Sequence, residues 1–421
     1  MIKKNIDEIK SGGLKIFFKK IFTISKLIVL LIPSAIFLIV IYLIRPFLLV
    51  RFQPTTSTRI GHFTSDLELY VCEKKNKINS PKQNYLDLFF NYEICNYQLL
   101  KMWKKELIFM PRFILQPIYV LNKMVSSFFP FFKIHNINTT CGDRDVHNLY
   151  EKTEPSLKFT LEEERLGQEY LKKFKIPKGS KFVTLVVRDS EYLKSLNNSK
   201  DWSYHNYRDQ DLNSYFLAIE EVAKRGYYVF RVGGSLNSKY LNHPNPKIID
   251  YTHSELKNDF LDIYLGAKCE FCISTATGFD GIARIFRRPV ITVSGYPANL
   301  LTYSSKELIL IRPHLKIIEN RNLKLNEILS PDIANILHSK EYEEKGIKLL
   351  DNPPEEIRDV VVEMIDRLEG KWKENINDKK LQEEFWKKFK EMISNIKTTS
   401  TIKHGVIKSK ISTCFLRNNY F

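Results

Sequence analysis

The chain lacks the signatures of the commonest nucleotide-handling and hydrolytic enzymes. No G-x-G-x-x-G, no G-x-x-x-x-G-K-[ST] and no G-x-S-x-G occurs in its 421 residues. That argues against an ordinary dehydrogenase, a P-loop ATPase and an elbow-type hydrolase. Cysteine is scarce, with six in the whole chain, too few for a disulfide framework and in keeping with a reducing compartment. Cys269 and Cys272 form one C-x-x-C, but no second pair and no paired histidines lie nearby. The ligand set a zinc ion needs is missing, so no metal is expected and the two thiols read as small core residues. Internal repeats are also absent.

Acidic residues are thin at both ends. The first 26 residues hold seven lysines against Asp7 and Glu8, and the stretch from Lys387 to Phe421 holds eight basic residues against Glu391. Much of the formal charge of +17 therefore sits at the termini. Basic ends fit an anionic surface, either lipid headgroups or nucleic acid. The adjoining apolar run favours lipid, and the ends lack aromatics interleaved around a structured groove, so nucleic acid is not expected as a partner.

That run, "LIVLLIPSAIFLIVIYLI" from Leu27 to Ile44, carries no charge and spans roughly eighteen residues, about the least that crosses a bilayer as a straight helix. "IRPFLLVRF" extends its apolar character. No small-residue cleavage site follows, so it is not a secretory signal. A spanning helix would hold the lysine-rich end in the cytosol; alternatively, Pro33-Ser34 could kink the segment so that it dips in and returns. Membrane association through residues about 27–50 is the expectation, with the topology open.

Beyond it, length and pattern predict two globular domains plus extras: a basic N-terminus and membrane segment (1–52), a first domain (53–176), a second (177–312), a helical extension (313–395) and a basic, loosely ordered tail (396–421). In the first domain "RIGHFTSDLELYVCE" reads as strand, glycine turn and helix, "YLDLFF" as a strand and "NYQLLKMWKKE" as a helix. The second is clearer. "KFVTLVV", "YYVFRV", "PKIID", "CEFCIS" and "PVITVS" are near-continuous apolar runs alternating with amphipathic helices, the pattern of a parallel sheet covered on both faces. Such sheets bind ligands at the carboxyl ends of their strands.

Candidate residues cluster at those ends. After "CEFCI" come Ser274, Thr275, Thr277 and Gly278, then a helix. Its first-turn N–H groups, with the hydroxyls, would suit a phosphate, though Thr277 with Asp280 could be an ordinary cap. Arg188-Asp189 follows the first strand, where an arginine can grip a diphosphate. The loop "WSYHNYRDQD" offers His205 and Arg208 to the same cleft, with Asp211 as a helix cap. Gly233-Gly234 could admit a base or ribose. His253 and His62 stand alone in polar loops.

In order along the chain, "RIGHF…ELYVCE", "VVRDSEYL", "YHNYRDQDL", "RGYYVFRVGG", "DYTHSELKNDFLDIYLGAKCEFCIST" and "TGFDGIARIFRRPVITV" resemble a bacterial family of glycosyltransferases of cell-surface polysaccharide, including lipopolysaccharide, assembly. The resemblance covers roughly Arg59 to Ile311. It implies an α/β fold of two Rossmann-like domains facing across a cleft (GT-B-like), with the donor in the second and no cofactor beyond the nucleotide-sugar co-substrate. It further implies that Arg188, Ser274, Thr275, Thr277 and Gly278 hold the donor diphosphate while Gly61-His62 faces a glycan or lipid-linked acceptor. The strand–S/T–G–helix–P–V element also resembles the donor site of heptosyltransferases, and Arg188 an arginine of certain fucosyltransferases. Val186, where those fucosyltransferases carry histidine, speaks against a fucosyl donor. If the anomeric centre inverts, His62 is the first candidate for the base, with Asp189 or Asp280 behind it. Since nucleotide sugars are cytosolic, the resemblance favours the in-and-out membrane segment at the cytoplasmic face of the inner membrane. The competing expectation is a catalytically inactive, membrane-bound assembly or scaffold protein with the same fold.

Overall fold

Seven strands run parallel in one sheet, in the spatial order β6-β5-β4-β7-β8-β9-β13. They are β4 (Phe182–Val186), β5 (Tyr228–Arg231), β6 (Ile248–Asp250), β7 (Cys272–Ser274), β8 (Val290–Gly295), β9 (Glu307–Ile311) and β13 (Lys410–Ile411). The computed structural model describes residues 14, 17, 18, 25, 31–137, 144–191, 203–296, 304–395 and 405–419. The strands are apolar throughout because both faces are covered. Val183, Leu185, Ile273 and Ile291 join one core, and Phe182, Val186, Cys272 and Val290 the other. The chain starts at β4, builds outward to β5 and β6, then crosses back to lay β7 on the other side of β4. Strand order thus reverses between β4 and β7, and the crevice at their carboxyl ends is where open parallel sheets take ligands.

The first lobe holds a smaller parallel sheet, β1 (Leu49–Pro54), β2 (Tyr85–Phe90) and β3 (Ile108–Phe109) in that order. Around it lie helices 31–44, Ile60–Lys75, Tyr97–Trp103 and Arg112–Phe128. Arg51 and Asp87 tie β1 to β2 through a buried bidentate pair at 2.6 and 2.7 Å. β1 was expected as the tail of the apolar run. Leu49 and Val50 are instead buried in this sheet, so they are not part of the membrane-associating segment expected over residues about 27–50. Residues 27–30 of that run lie outside the described residues. Among the described residues no helix is long and apolar enough to cross a membrane. "RIGHFTSDLELYVCE" is helix from Ile60 onward, with Gly61 inside its first turn rather than in a strand-to-helix loop.

Three further expectations are corrected. The Leu161–Lys173 helix, assigned to the first domain, is shared by both lobes. Its Glu163 accepts hydrogen bonds from Gln98 and Lys101, while Gly167 lies so close under the Tyr264 ring that a Cβ there would sit 2.1 Å from Cζ. The extension is not purely helical, since β10 (His314–Lys316), β11 (Arg321–Asn322) and β12 (Ile347–Leu349) form an antiparallel sheet. The tail is docked over residues 405–419: β13 extends the large sheet beside β9, and Ile411 and Leu416 are core residues. Arg417 clamps Asp378 through two bonds of 2.8 Å.

The lobes meet along the Ile60–Lys75 helix. A Cβ on Gly61 would lie 2.8 Å from the Gly278 Cα, and one on Gly281 2.4 Å from the Thr64 hydroxyl. Glycine is required at Gly61 because its backbone meets that of Gly278, and at Gly281 because the Thr64 side chain fills the space of a Cβ. Farther along the helix, the fully buried Glu68 accepts from the Arg287 guanidinium at 2.7 Å.

Candidate functional site

The crevice between β4 and β7 is built by a short cross-link. The Thr275 amide donates to the Val186 carbonyl at 3.2 Å, and the Thr275 hydroxyl accepts from the Arg188 amide at 2.9 Å. Thr275 therefore fixes the two strand ends against each other, leaving the Arg188 side chain to turn toward the loop 203–211. There its Nε lies 3.3 Å from Asp209 Oδ1. Arg208 reaches in from the same loop and donates to the Ala276 carbonyl at 2.6 Å. Ala276 has φ +56°, a left-handed conformation that costs a non-glycine residue about 1–2 kcal/mol. The Arg208 bond helps to hold that turn.

Two guanidiniums thus share one crevice. Burial first, and then the neighbouring charge of Arg208, lower the Arg188 pKa from the usual arginine value; it stays cationic at neutral pH. Two like charges held in one crevice favour an acceptor of negative charge beside them, and the Asp209 carboxyl lies against Arg188. Arg312, from the turn after β9, positions the loop without facing the crevice. It donates to the Tyr207 carbonyl, to the Asp209 carbonyl at 3.1 Å and to Asp351 at 2.8 Å. Tyr207 and Tyr296 join through their hydroxyls at 3.2 Å.

Asp209 was not singled out by the sequence. Burial pushes its carboxyl up to about 6, against the pull of Arg188 and helped by Asp189. The adjacent arginine was a signal that could have drawn attention to it; its burial was not visible. Because its folded pKa lies above the ordinary carboxylate value, its favourable contribution to folding is present at low pH and is lost as pH rises through about 6. The same ionisation places a negative charge in the crevice beside Arg188. A sugar nucleotide's two phosphates carry fixed charge over this range, so affinity for UDP-glucose or ADP-glucose is expected to fall several-fold between about pH 5 and pH 7. Asp209→Asn should flatten that profile, as measured by calorimetric titration; an unchanged slope would assign it elsewhere.

The helix after the turn is short, Asp280 to Ile285, and two of its early amides are used within it: Gly281 N–H donates to the Gly278 carbonyl and Ile282 N–H to that of Phe279. Ser274 is fully buried and donates to Asp280 at 2.8 Å. Asp280 is itself buried, at 2.7 Å from Arg284, which also pairs with Glu307 at 2.7 Å. Both residues therefore leave the list of ligand-facing groups, Ser274 as a phosphate donor and Asp280 as a base. Thr277 is half-buried beside the exposed Gly278, and its hydroxyl oxygen is buried without a hydrogen bond among the described residues.

Gly233 and Gly234 end β5 on the same edge, with φ +72° and +69°, values that suit glycine. Thr252 donates to the Gly233 carbonyl at 2.6 Å. Below them Arg231 is buried between Asp250 and Asp189, at 3.5 and 3.8 Å, so Asp189 faces this ion cluster as well as the crevice. His253 is spent structurally. Its Nδ1 lies 2.9 Å from Asp250 and its Nε2 3.3 Å from the Leu236 carbonyl, which removes it as a cleft residue. His205 lies in a 3₁₀ turn, Ser203–Arg208, and its side chain lies outside the described residues. Asp211 caps the following turn through the Asn213 amide.

His62 comes from the other lobe. It follows Gly61, whose backbone abuts Gly278, so it stands where the two lobes meet. It is partly exposed, and its Nδ1 lies 3.2 Å from Asp66 Oδ1, one helical turn on. A carboxylate on Nδ1 orients the ring and supports a proton gained at Nε2.

No family model matches the chain, and no curated protein matches it. Solved structures with some similarity include ADP-heptose lipopolysaccharide heptosyltransferase II of E. coli, at 12% identity over 62% of this chain and 90% of that one, with a TM-score of 0.37. A family 9 glycosyl transferase from Veillonella parvula scores 0.37 at 12% identity, over 63% and 86% of the two chains. A second E. coli heptosyltransferase, bound to an ADP-2-deoxy-2-fluoro heptose, scores 0.34 at 12% identity, over 62% and 92%. Likeness of that degree decides nothing by itself, and the functional reading rests on the crevice.

Proposed function

We propose that this chain is a glycosyltransferase that moves a sugar from a nucleotide-sugar donor to a lipid-linked or growing surface glycan. The observation that carries the reading is the juxtaposition of Arg188 and Arg208 at the strand-order reversal. As the bond between the anomeric carbon and the β-phosphate oxygen breaks, its electron pair stays on the departing diphosphate. The two guanidiniums stabilise that developing charge more than they stabilise the bound donor. The buried, unpartnered Thr277 hydroxyl is a further donor that a small shift of the turn would bring to the diphosphate, and Gly233-Gly234 supplies the positive-φ turn on the edge where the nucleoside end would lie. His62, oriented by Asp66, takes the proton from the acceptor hydroxyl as that oxygen attacks the anomeric carbon from the opposite face.

The test is product formation from UDP-, GDP- and ADP-sugars with a membrane-lipid extract as acceptor, with a CMP-sugar, which has no β-phosphate, as the control. His62→Ala should cut turnover by roughly 10²- to 10⁴-fold while leaving nucleoside diphosphate affinity unchanged. Retained turnover would move the base elsewhere. If no nucleotide of the panel binds at all, the inactive scaffold is the reading that remains.

A further inference from the structure

Helix 31–44, helix Arg112–Phe128 and the 3₁₀ turn Pro130–His135 form one substructure on the outer side of the first lobe. Leu38, Leu115 and Ile118 pack together over β1 and β2. Tyr42 donates to Asn122 at 2.8 Å and stacks on Phe132 at 4.1 Å. The Arg45 guanidinium sits 3.8 Å from the centroid of the Phe131 ring.

Opposite that small core the same elements expose large apolar side chains. Ile32 and Leu43 are 74% and 71% exposed on the first helix, Phe113 and Phe128 65% and 80% on the second, and Phe129 and Phe131 62% and 66% at the turn. Phe113 and Phe128 fall on one stripe of their helix, and so do Ile32 and Leu43 of theirs. Scattered exposed apolar residues need no explanation, but a concentration on three touching elements does.

Charge selects the occupant. No Asp or Glu occurs between Glu8 and Asp66, or between Glu106 and Asp143, although the chain has 48 acidic residues in all. Arg45, Arg112, Lys123 and Lys133 are the charged groups of the substructure. Arg112 lies over the Tyr92 ring and Lys123 over that of Tyr119. Apolar side chains bordered by cations and free of acids complement an anionic bilayer surface, where phenylalanine enters the acyl boundary and lysine or arginine meets phosphate.

We propose that these three elements are a monotopic footing that lies in the interface of an anionic membrane, so that attachment does not depend on a spanning helix. The footing belongs to the lobe that carries His62, and it would bring the acceptor side of the cleft to the bilayer. This last consequence rests on the proposed function; the footing itself does not.

The experiment is flotation of the full chain with vesicles of phosphatidylcholine alone and of phosphatidylcholine mixed with phosphatidylglycerol. The native chain should float with the mixed vesicles and only weakly with the neutral ones. A Phe113→Ser, Phe128→Ser, Phe131→Ser variant, altered only at exposed positions, should lose roughly tenfold or more of that partition, with its unfolding midpoint and nucleoside diphosphate affinity unchanged. Equal flotation of the variant would overturn the footing, as would a native chain that ignores lipid and forms a dimer that the same substitutions dissociate. Loss of nucleotide binding in a native chain that still floats would count against the glycosyltransferase reading alone.

Discussion

Arg188→Ala should lower turnover by roughly 10²- to 10³-fold, the effect of removing one preorganised donor from a developing anion. The protein should stay folded. The substitution removes a buried cation that faces Arg208, and it leaves the Arg188 amide still bonded to Thr275. Arg188→Lys should recover only part of the rate, because an ammonium is a point charge without the planar fork that grips two phosphate oxygens. Steady-state kinetics beside a thermal melt separates the two effects. Native turnover in a folded Arg188→Ala protein would take the residue out of the mechanism.

Arg287→Ala should be strongly destabilising, at about 3–5 kcal/mol by denaturant titration. Glu68 is fully buried and would lose its 2.7 Å partner. The same guanidinium donates to the Thr153 carbonyl at 3.0 Å and to that of Ile285 at 2.6 Å, and it lies 4.7 Å from the Tyr150 ring centroid. Removing one partner strands a buried carboxylate, whereas replacing both with apolar residues of similar size should restore most of the loss. A Glu68→Leu, Arg287→Met double variant is therefore expected to be more stable than the single variant but less stable than the native chain, because the Thr153 and Ile285 carbonyls and the Ser156 amide lose their partners. If the single and double variants are equally unstable, the pair is not what holds the lobes at that edge.

The second sheet was legible because each strand is a buried apolar run between helices of clear period, and tertiary context had little to override. β1 was hidden for the opposite reason. "LVRFQP" continues a long apolar segment, and nothing local marks where a membrane-type helix stops and a strand begins. β13 is two residues long and exists only because β9 offers an open edge and Gln382 binds the Ile411 backbone at both ends. At the site, Arg188, Thr275 and Thr277 were read from their positions beyond strand ends, and Arg208 from a loop dense in His, Arg, Tyr and Asp just before a helix. Ser274 and Asp280 were misassigned because a small-polar cluster before a helix looks the same whether it faces solvent or an internal arginine. Arg284 and Glu307, which decide the matter, are ordinary charged residues in the sequence. Asp209 was missed because burial, not type or spacing, sets its carboxyl apart.

A crystal structure of the protein with a bound nucleoside diphosphate tests the central claim most directly. The phosphates should lie across the ends of β4 and β7, with oxygens about 2.7–2.9 Å from both the Arg188 and the Arg208 guanidiniums. A diphosphate seated elsewhere, or one in this crevice that leaves Arg188 on Asp209 and touches neither arginine, would contradict the account.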